Sequence, residues 1–112
     1  MASVVALVPD LLFRSSVVSL LRAAGHETVL VSDLDQLEPD AAEVIVVDLT
    51  ADACERLEQV RAANLGRARK IAVYAHVEAD VRRRAEDEGF ELVVPRSRFV
   101  REGGALVSRL TG

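Results

Sequence analysis

The sequence predicts an α/β fold in which a parallel sheet is covered by helices on both faces, and three observations carry that prediction. Short β-branched runs alternate with segments of helical periodicity along the whole chain. The runs are almost continuously apolar, Val4 to Val8 and Val44 to Val47 above all, as strands buried on both faces are. Glycines at positions 25, 66 and 89 punctuate the helical segments where stop signals belong.

Each element follows from local chemistry. Ser3 to Val8 reads as the first strand, and Pro9 ends it because proline brings no donor to a sheet ladder. Asp10 is placed to cap a helix running to about Ala24, with Phe13, Val17, Leu20, Leu21 and Ala24 on one stripe and Gly25 as its stop. Glu27 to Val31 is the second strand, followed by a turn or short helix over Asp33 to Leu37 before Pro39. Glu43 to Asp48 is the strongest strand, and Ala51 to Asn64 follows as a helix with Leu57 and Val60 inward. Lys70 to Ala75 is the fourth strand, Glu78 to Glu88 a polar helix, and Glu91 to Val94 the fifth strand, broken by Pro95. A last helix lies within Phe99 to Leu110. Gly103 and Gly104 each cost about 1 kcal/mol relative to alanine, which favours a late start near Gly104. At this length the economical arrangement is a flavodoxin-like (βα)5 three-layer sandwich with strand order 2-1-3-4-5.

Composition bounds the function. The 112 residues are 50% hydrophobic and 29% charged, an ordinary balance for one domain over residues 1–112. No apolar run approaches the ~18 residues of a membrane span, and Met-Ala-Ser-Val-Val lacks the basic start of a secretory signal. A lone cysteine, Cys54, makes no internal disulfide, so a reducing cytoplasm is expected, with Cys54 a small buried hydrophobe in its helix. The net charge of −4 argues against direct nucleic-acid binding. Thirteen of the 14 basic residues are arginine, which fits a GC-rich genome.

A doubly wound sheet puts its site beyond the C-terminal strand ends, at the switch between the first and third strands. That rule selects Asp10, Asp48, Tyr74, His76 and Arg96. Asp48 is suited to accept a phosphoryl group, bind a metal or act as a base; it equally suits a cap or an ion pair. Arg96 is placed to approach it and hold the carboxylate ionised. His76 is a candidate partner for Asp48 or Asp10 through one ring nitrogen, or a packing residue. Tyr74 reads as packing with its hydroxyl satisfied. Arg82, Arg83 and Arg84 read as a solvated, internally paired helix face, whereas Arg96, Arg98 and Arg101 form a candidate anion patch. No nucleophile elbow, phosphate loop, dinucleotide turn or zinc helix is present, so an enzyme is not expected.

Over essentially its whole length the chain resembles the receiver domains of bacterial two-component response regulators. VALVPDLLFRSSVVSLLRAAGHETV is similar to a receiver's first strand, first helix and second strand; VIVVDLT to the strand bearing the phosphoacceptor, which falls on Asp48. KIAVYAH resembles the fourth strand, and AEDEGFELVVPRS the helix end and fifth strand. The departures are specific. Receivers end the first strand in an acidic pair that holds magnesium; Val8 and Pro9 stand there, with Asp10 one place beyond. Tyr74 replaces the switch serine or threonine, Arg96 replaces the fifth-strand lysine, and the loop after Asp48 is shortened.

The resemblance, with these departures, implies a degenerate receiver: a stand-alone regulatory module acting through protein–protein contact, without normal magnesium-dependent phosphorylation. No cofactor is expected, and magnesium only beside a phosphorylated Asp48, with Asp10 and Asp48 its weak candidate ligands. By resemblance the partner surface, or a homodimer surface, is a receiver's fourth helix, fifth strand and fifth helix. Here these are Val77 to Glu88, Leu92 to Val94 and Phe99 to Leu110, with Phe99, Val100 and Val107 expected at the surface. No DNA-binding segment follows in this sequence, so output is expected to run through another chain. Two other functions stay open: a working receiver phosphorylated on Asp48, and a sensor of a small anion or nucleotide held by Arg96, Arg98 and Arg101.

Overall fold

A computed structural model describes residues 2–35 and 37–111. The five strands are β1 (Ser3–Leu7), β2 (Glu27–Val31), β3 (Val44–Asp48), β4 (Arg69–Tyr74) and β5 (Leu92–Pro95). The helices are α1 (Leu11–Ala23), α2 (Ala53–Ala62), α3 (Ala79–Asp87) and α4 (Arg96–Thr111). All strand pairings are parallel and the order is β2-β1-β3-β4-β5, the expected arrangement.

Alternation along the strands divides the interior into two cores. Val4, Ala6, Val44, Val46, Ile71 and Val73 face α1 and α4, against Phe13, Val17, Leu21, Phe99, Leu106 and Val107. Val5, Leu7, Ile45, Val47, Ala72 and Tyr74 face α2 and α3, against Leu57, Val60, Val81 and Ala85. Because both faces are covered, successive side chains must all be apolar, and the strands read as runs.

The second connection departs from five strand–helix units. Among the described residues of 32–43 there is no helix. The segment is acidic, contains Pro39, and opens with a side-chain turn, Asp33 Oδ1 accepting from the Asp35 amide at 2.9 Å. Leu34 and Leu37 insert into the second core in a helix's place. This covers the edge of the sheet incompletely, and Val29, next to Val5 in register, remains 54% exposed.

The last helix corrects three expectations together. α4 begins at Arg96, immediately after Pro95, and runs straight through Gly103 and Gly104. A Cβ at Gly103 would stand 2.6 Å from Leu20 Cδ1, and one at Gly104 would stand 2.4 Å from Ala24 Cβ. The glycines are where α4 approaches α1 most closely, so a local propensity cost is offset by helix–helix packing. The stripe Phe99, Gly103, Leu106 and Val107 therefore turns inward. Phe99 and Val107 are core residues at 0% exposure and not partner surface; of the three only Val100 is exposed. At the same junction buried His26 accepts from the Ala2 amide on Nδ1 at 3.1 Å, which leaves Nε2–H to donate to Gly104 O at 3.0 Å.

Cys54 is exposed, not buried. The inward stripe of α2 is Leu57 and Val60, and Cys54 is turned toward α3, where Arg84 Nη1 donates to its sulfur at 2.9 Å. No helix among the described residues is long and apolar enough to cross a membrane.

Candidate functional site

The C-terminal strand ends bring Asp10, Asp48 and Arg96 together. Asp48 closes β3 and is 3% exposed. Its Oδ1 accepts from the Thr50 amide at 2.9 Å and from Thr50 Oγ1 at 2.6 Å, a side-chain turn that fixes the carboxylate. Asp10 caps α1 through Oδ1, which accepts from the Leu12 and Phe13 amides at 2.9 and 3.0 Å. Its Oδ2 faces Arg96, the first residue of α4.

Arg96 occupies the space between the carboxylates. Its Nη2 lies 3.2 Å from Asp10 Oδ2 and 3.8 Å from Asp48 Oδ2, and its guanidinium sits over the Phe13 ring at 4.0 Å from the centroid. Two anions and an aromatic face thus hold a cation at a helix N-terminus, where the helix dipole alone would disfavour it. Arg96 Nε is buried without a partner, so the side chain is placed by its other nitrogens and by the ring. The Asp10 carboxyl is held below its ordinary value by the Phe13 amide first and then by Arg96.

These residues do not suit magnesium. The ion takes hard oxygen ligands in near-octahedral geometry. Here Arg96 already stands between the carboxylates, Val8 is buried in the first core, and Pro9 offers no ligating side chain. Among the described residues no group of three His, Cys, Asp or Glu side chains could hold a metal ion.

The remaining site residues separate. Tyr74 is buried at the end of β4, in the second core. His76 is exposed, and among the described residues no hydrogen bond joins it to Asp10 or Asp48; α3 starts only at Ala79, so the intervening loop carries the imidazole outward. The three arginines do not converge. Arg96 is held by its carboxylates, Arg98 pairs with Glu102 at 3.5 Å, and Arg101 is largely solvated. Arg82 pairs with Glu86 one turn on, as expected of a solvated helix face. Two contributors were not singled out from sequence. Thr50 had a usable signal, an Asp-x-Thr spacing that closes a side-chain turn; Phe13 was visible only as a core residue.

Asp10 supplies a test of this geometry. A carboxyl with a lowered native value stabilises the fold above its unfolded value of 3.8, and that contribution disappears as the pH falls through the native value. Asp10→Asn keeps a capping oxygen but loses the ion pair. In urea melts the wild type should be the more stable at neutral pH, with the gap narrowing below 3.8 and closing below the depressed native value. No gap at neutral pH would show that Asp10 acts only as a cap, and a gap that persists in strong acid would show that its ionised carboxylate is not the source of the difference.

No family model and no curated protein matches the chain. Solved structures do. It is similar to a response regulator from Thermotoga maritima at 13% identity and a TM-score of 0.77, over 96% of this chain and 95% of that one. The receiver domain of sensor histidine kinase PA1611 from Pseudomonas aeruginosa, with a magnesium ion coordinated in its active-site cleft, matches at 16% identity and 0.76, over 99% and 98%. A putative CpaE2 pilus assembly protein from Sinorhizobium meliloti matches at 11% identity and 0.67, over 96% and 98%. At these identities the likeness speaks for architecture alone, and the architecture is consistent: the chain has the flavodoxin-like fold of response-regulator receiver domains.

Proposed function

We propose that this chain is a regulatory signalling module that works by binding another protein and does not use magnesium-dependent phosphorylation of Asp48. The observation that supports this reading is the position of Arg96. Its guanidinium supplies, between Asp10 and Asp48, the positive charge that a metal ion would otherwise bring to a phosphoryl-transfer site. A phosphoryl group on Asp48 Oδ2 would have to displace that contact, and no metal would be bound to offset the added charge. Tyr74 lacks the short hydroxyl arm that would swing toward a phosphorylated Asp48, and its ring is packed in the second core. The charge balance that phosphorylation normally alters is already satisfied, so regulation passes to whatever the surface recognises.

An amide NMR titration with magnesium and then beryllofluoride, on wild type and Asp48→Ala, tests the reading. Silence around Asp10, Asp48 and Arg96 is the expected result. Shifts centred there that vanish in Asp48→Ala would make Asp48 a live phosphoacceptor and overturn it.

A further inference from the structure

The carboxylates are closed off, but the space beside them is open. A cleft of about 840 Å³ lies over the ends of β4 and β5, lined among others by Thr50, Tyr74, His76, Ser97, Val100 and Arg101. We propose that it receives an acidic segment of a partner protein that carries an apolar anchor residue. The proposal rests on the functional reading above and gives its partner a chemistry and a place.

The cleft is of the size that encloses a small ligand or one to two side chains of a peptide. Its floor is apolar: Tyr74 is 6% exposed, and Pro95, its register partner on β5, lies beside it. At the wall Val100 is 47% exposed, and Ala51 and Ala75 line the same cleft. Val100 is turned out because the inward stripe of α4 is Phe99, Gly103, Leu106 and Val107. Apolar groups gathered around a concavity are the part of an interface that gains most from cover.

Charge selects the occupant. The chain carries a net −4, yet the free charge at this cleft is positive. Arg101 is 70% exposed in its side chain and has only a 3.9 Å contact with Glu102. Among the described residues the one carboxylate lining the cleft, Asp10, has Oδ1 engaged by two amides and Oδ2 by Arg96. The first turn of the 16-residue α4 adds its amide dipoles at the same end. On a chain of negative net charge, an acidic segment is attracted to this positive end, which sets orientation as well as affinity. A compact anion such as free phosphate is less well served. Arg96 and Arg98 are already paired, and Arg101 on α4 and His76 on the opposite loop flank an apolar floor. That arrangement suits a carboxylate on Arg101 next to an apolar anchor, with the His76 ring available as a hydrogen-bond partner.

The probes are three short acetylated, amidated peptides: glutamates around a Phe-Leu anchor, the same anchor with lysines, and the glutamates with serines as anchor. In amide NMR the first should shift His76, Ser97, Val100 and Arg101, with affinity falling as salt rises. The lysine and serine versions should bind about tenfold more weakly or worse. Arg101→Glu and Val100→Asp, surface changes that leave both cores intact, should each cost about tenfold as well, with folding checked by circular dichroism. Equal binding of the lysine peptide, or a cleft silent to the first peptide at millimolar concentration, overturns the proposal. So do cleft shifts that follow protein concentration alone, which would make the occupant a second copy. Failure of the functional reading looks different: it is an Asp48-centred response to beryllofluoride in the peptide-free protein.

Discussion

Phe99→Ala lowers the unfolding free energy by about 3–5 kcal/mol, as removal of a fully buried phenylalanine generally does. The ring is 0% exposed and packs in the first core with Val17, Leu21 and Leu106. It also lies where α4 meets α1: the Cβ that Gly103 lacks would come within 3.1 Å of Phe99 Cε2. Truncation removes the transfer free energy of the ring and leaves a void that two closely apposed helices cannot readily collapse. Against the 5–15 kcal/mol typical of a domain this is a large fraction of the whole. Urea melts followed by circular dichroism measure it, with Val100→Ala, one residue on and half-exposed, as the internal comparison. That variant should lie within about 0.5 kcal/mol of wild type. Comparable losses at the two positions would mean that α4 is rotated from the orientation described.

The contrast between those neighbours shows what the sequence could and could not disclose. The central strands β1, β3 and β4 were legible because a doubly covered strand has one solution, a β-branched apolar run; the edge strands β2 and β5 are only partly buried and were read from their β-branched residues and the turn signals around them. The frame of α4 was not. Its register rests on Gly103 and Gly104, which cost stability when weighed by local propensity and contribute it when α1 lies against them. Only a non-local contact reverses that sign. Starting the helix near Gly104 hides the stripe Phe99, Gly103, Leu106 and Val107, and so moves two core residues to the surface. The second connection was ambiguous for a related reason: Leu34 and Leu37 fill a helix's place with loop chemistry, and two apolar residues do not establish a period. Cys54 misled because its helix is only partly buried.

Within the site, Asp10, Asp48 and Arg96 followed from topology, since strand ends at the switch point of such a sheet must converge. The detail that decides function did not. Whether an arginine after β5 reaches solvent or folds back between two carboxylates depends on what lies beneath it, and Phe13, which supports the guanidinium, announces itself in sequence only as part of a helix stripe. Thr50 shows the opposite case, a local spacing that could have been read as a turn around Asp48.

Arg96→Ala should turn a closed ion pair into two facing carboxylates, with consequences for stability and for metal binding. Asp48 keeps both Thr50 donors but loses its cation while remaining buried, and Asp10 then acts on it only as a like charge. Leaving a buried polar group short of a partner costs about 1–3 kcal/mol, the lower part of that range applying because Arg96 is itself partly solvated. The carboxyl of Asp10 should rise toward its ordinary value, since Arg96 is its second-largest lowering influence after the Phe13 amide. The vacated space then offers hard oxygens with uncompensated charge, which is what a divalent cation seeks. Millimolar magnesium should therefore raise the Tm of Arg96→Ala and leave that of wild type unchanged. Arg96→Lys should recover only part of the lost stability, because one compact ammonium cannot bridge both carboxylates while covering the Phe13 ring. If magnesium raises the wild-type Tm as much as that of Arg96→Ala, the guanidinium is not what excludes the metal, and the physical basis for a phosphorylation-independent module is gone.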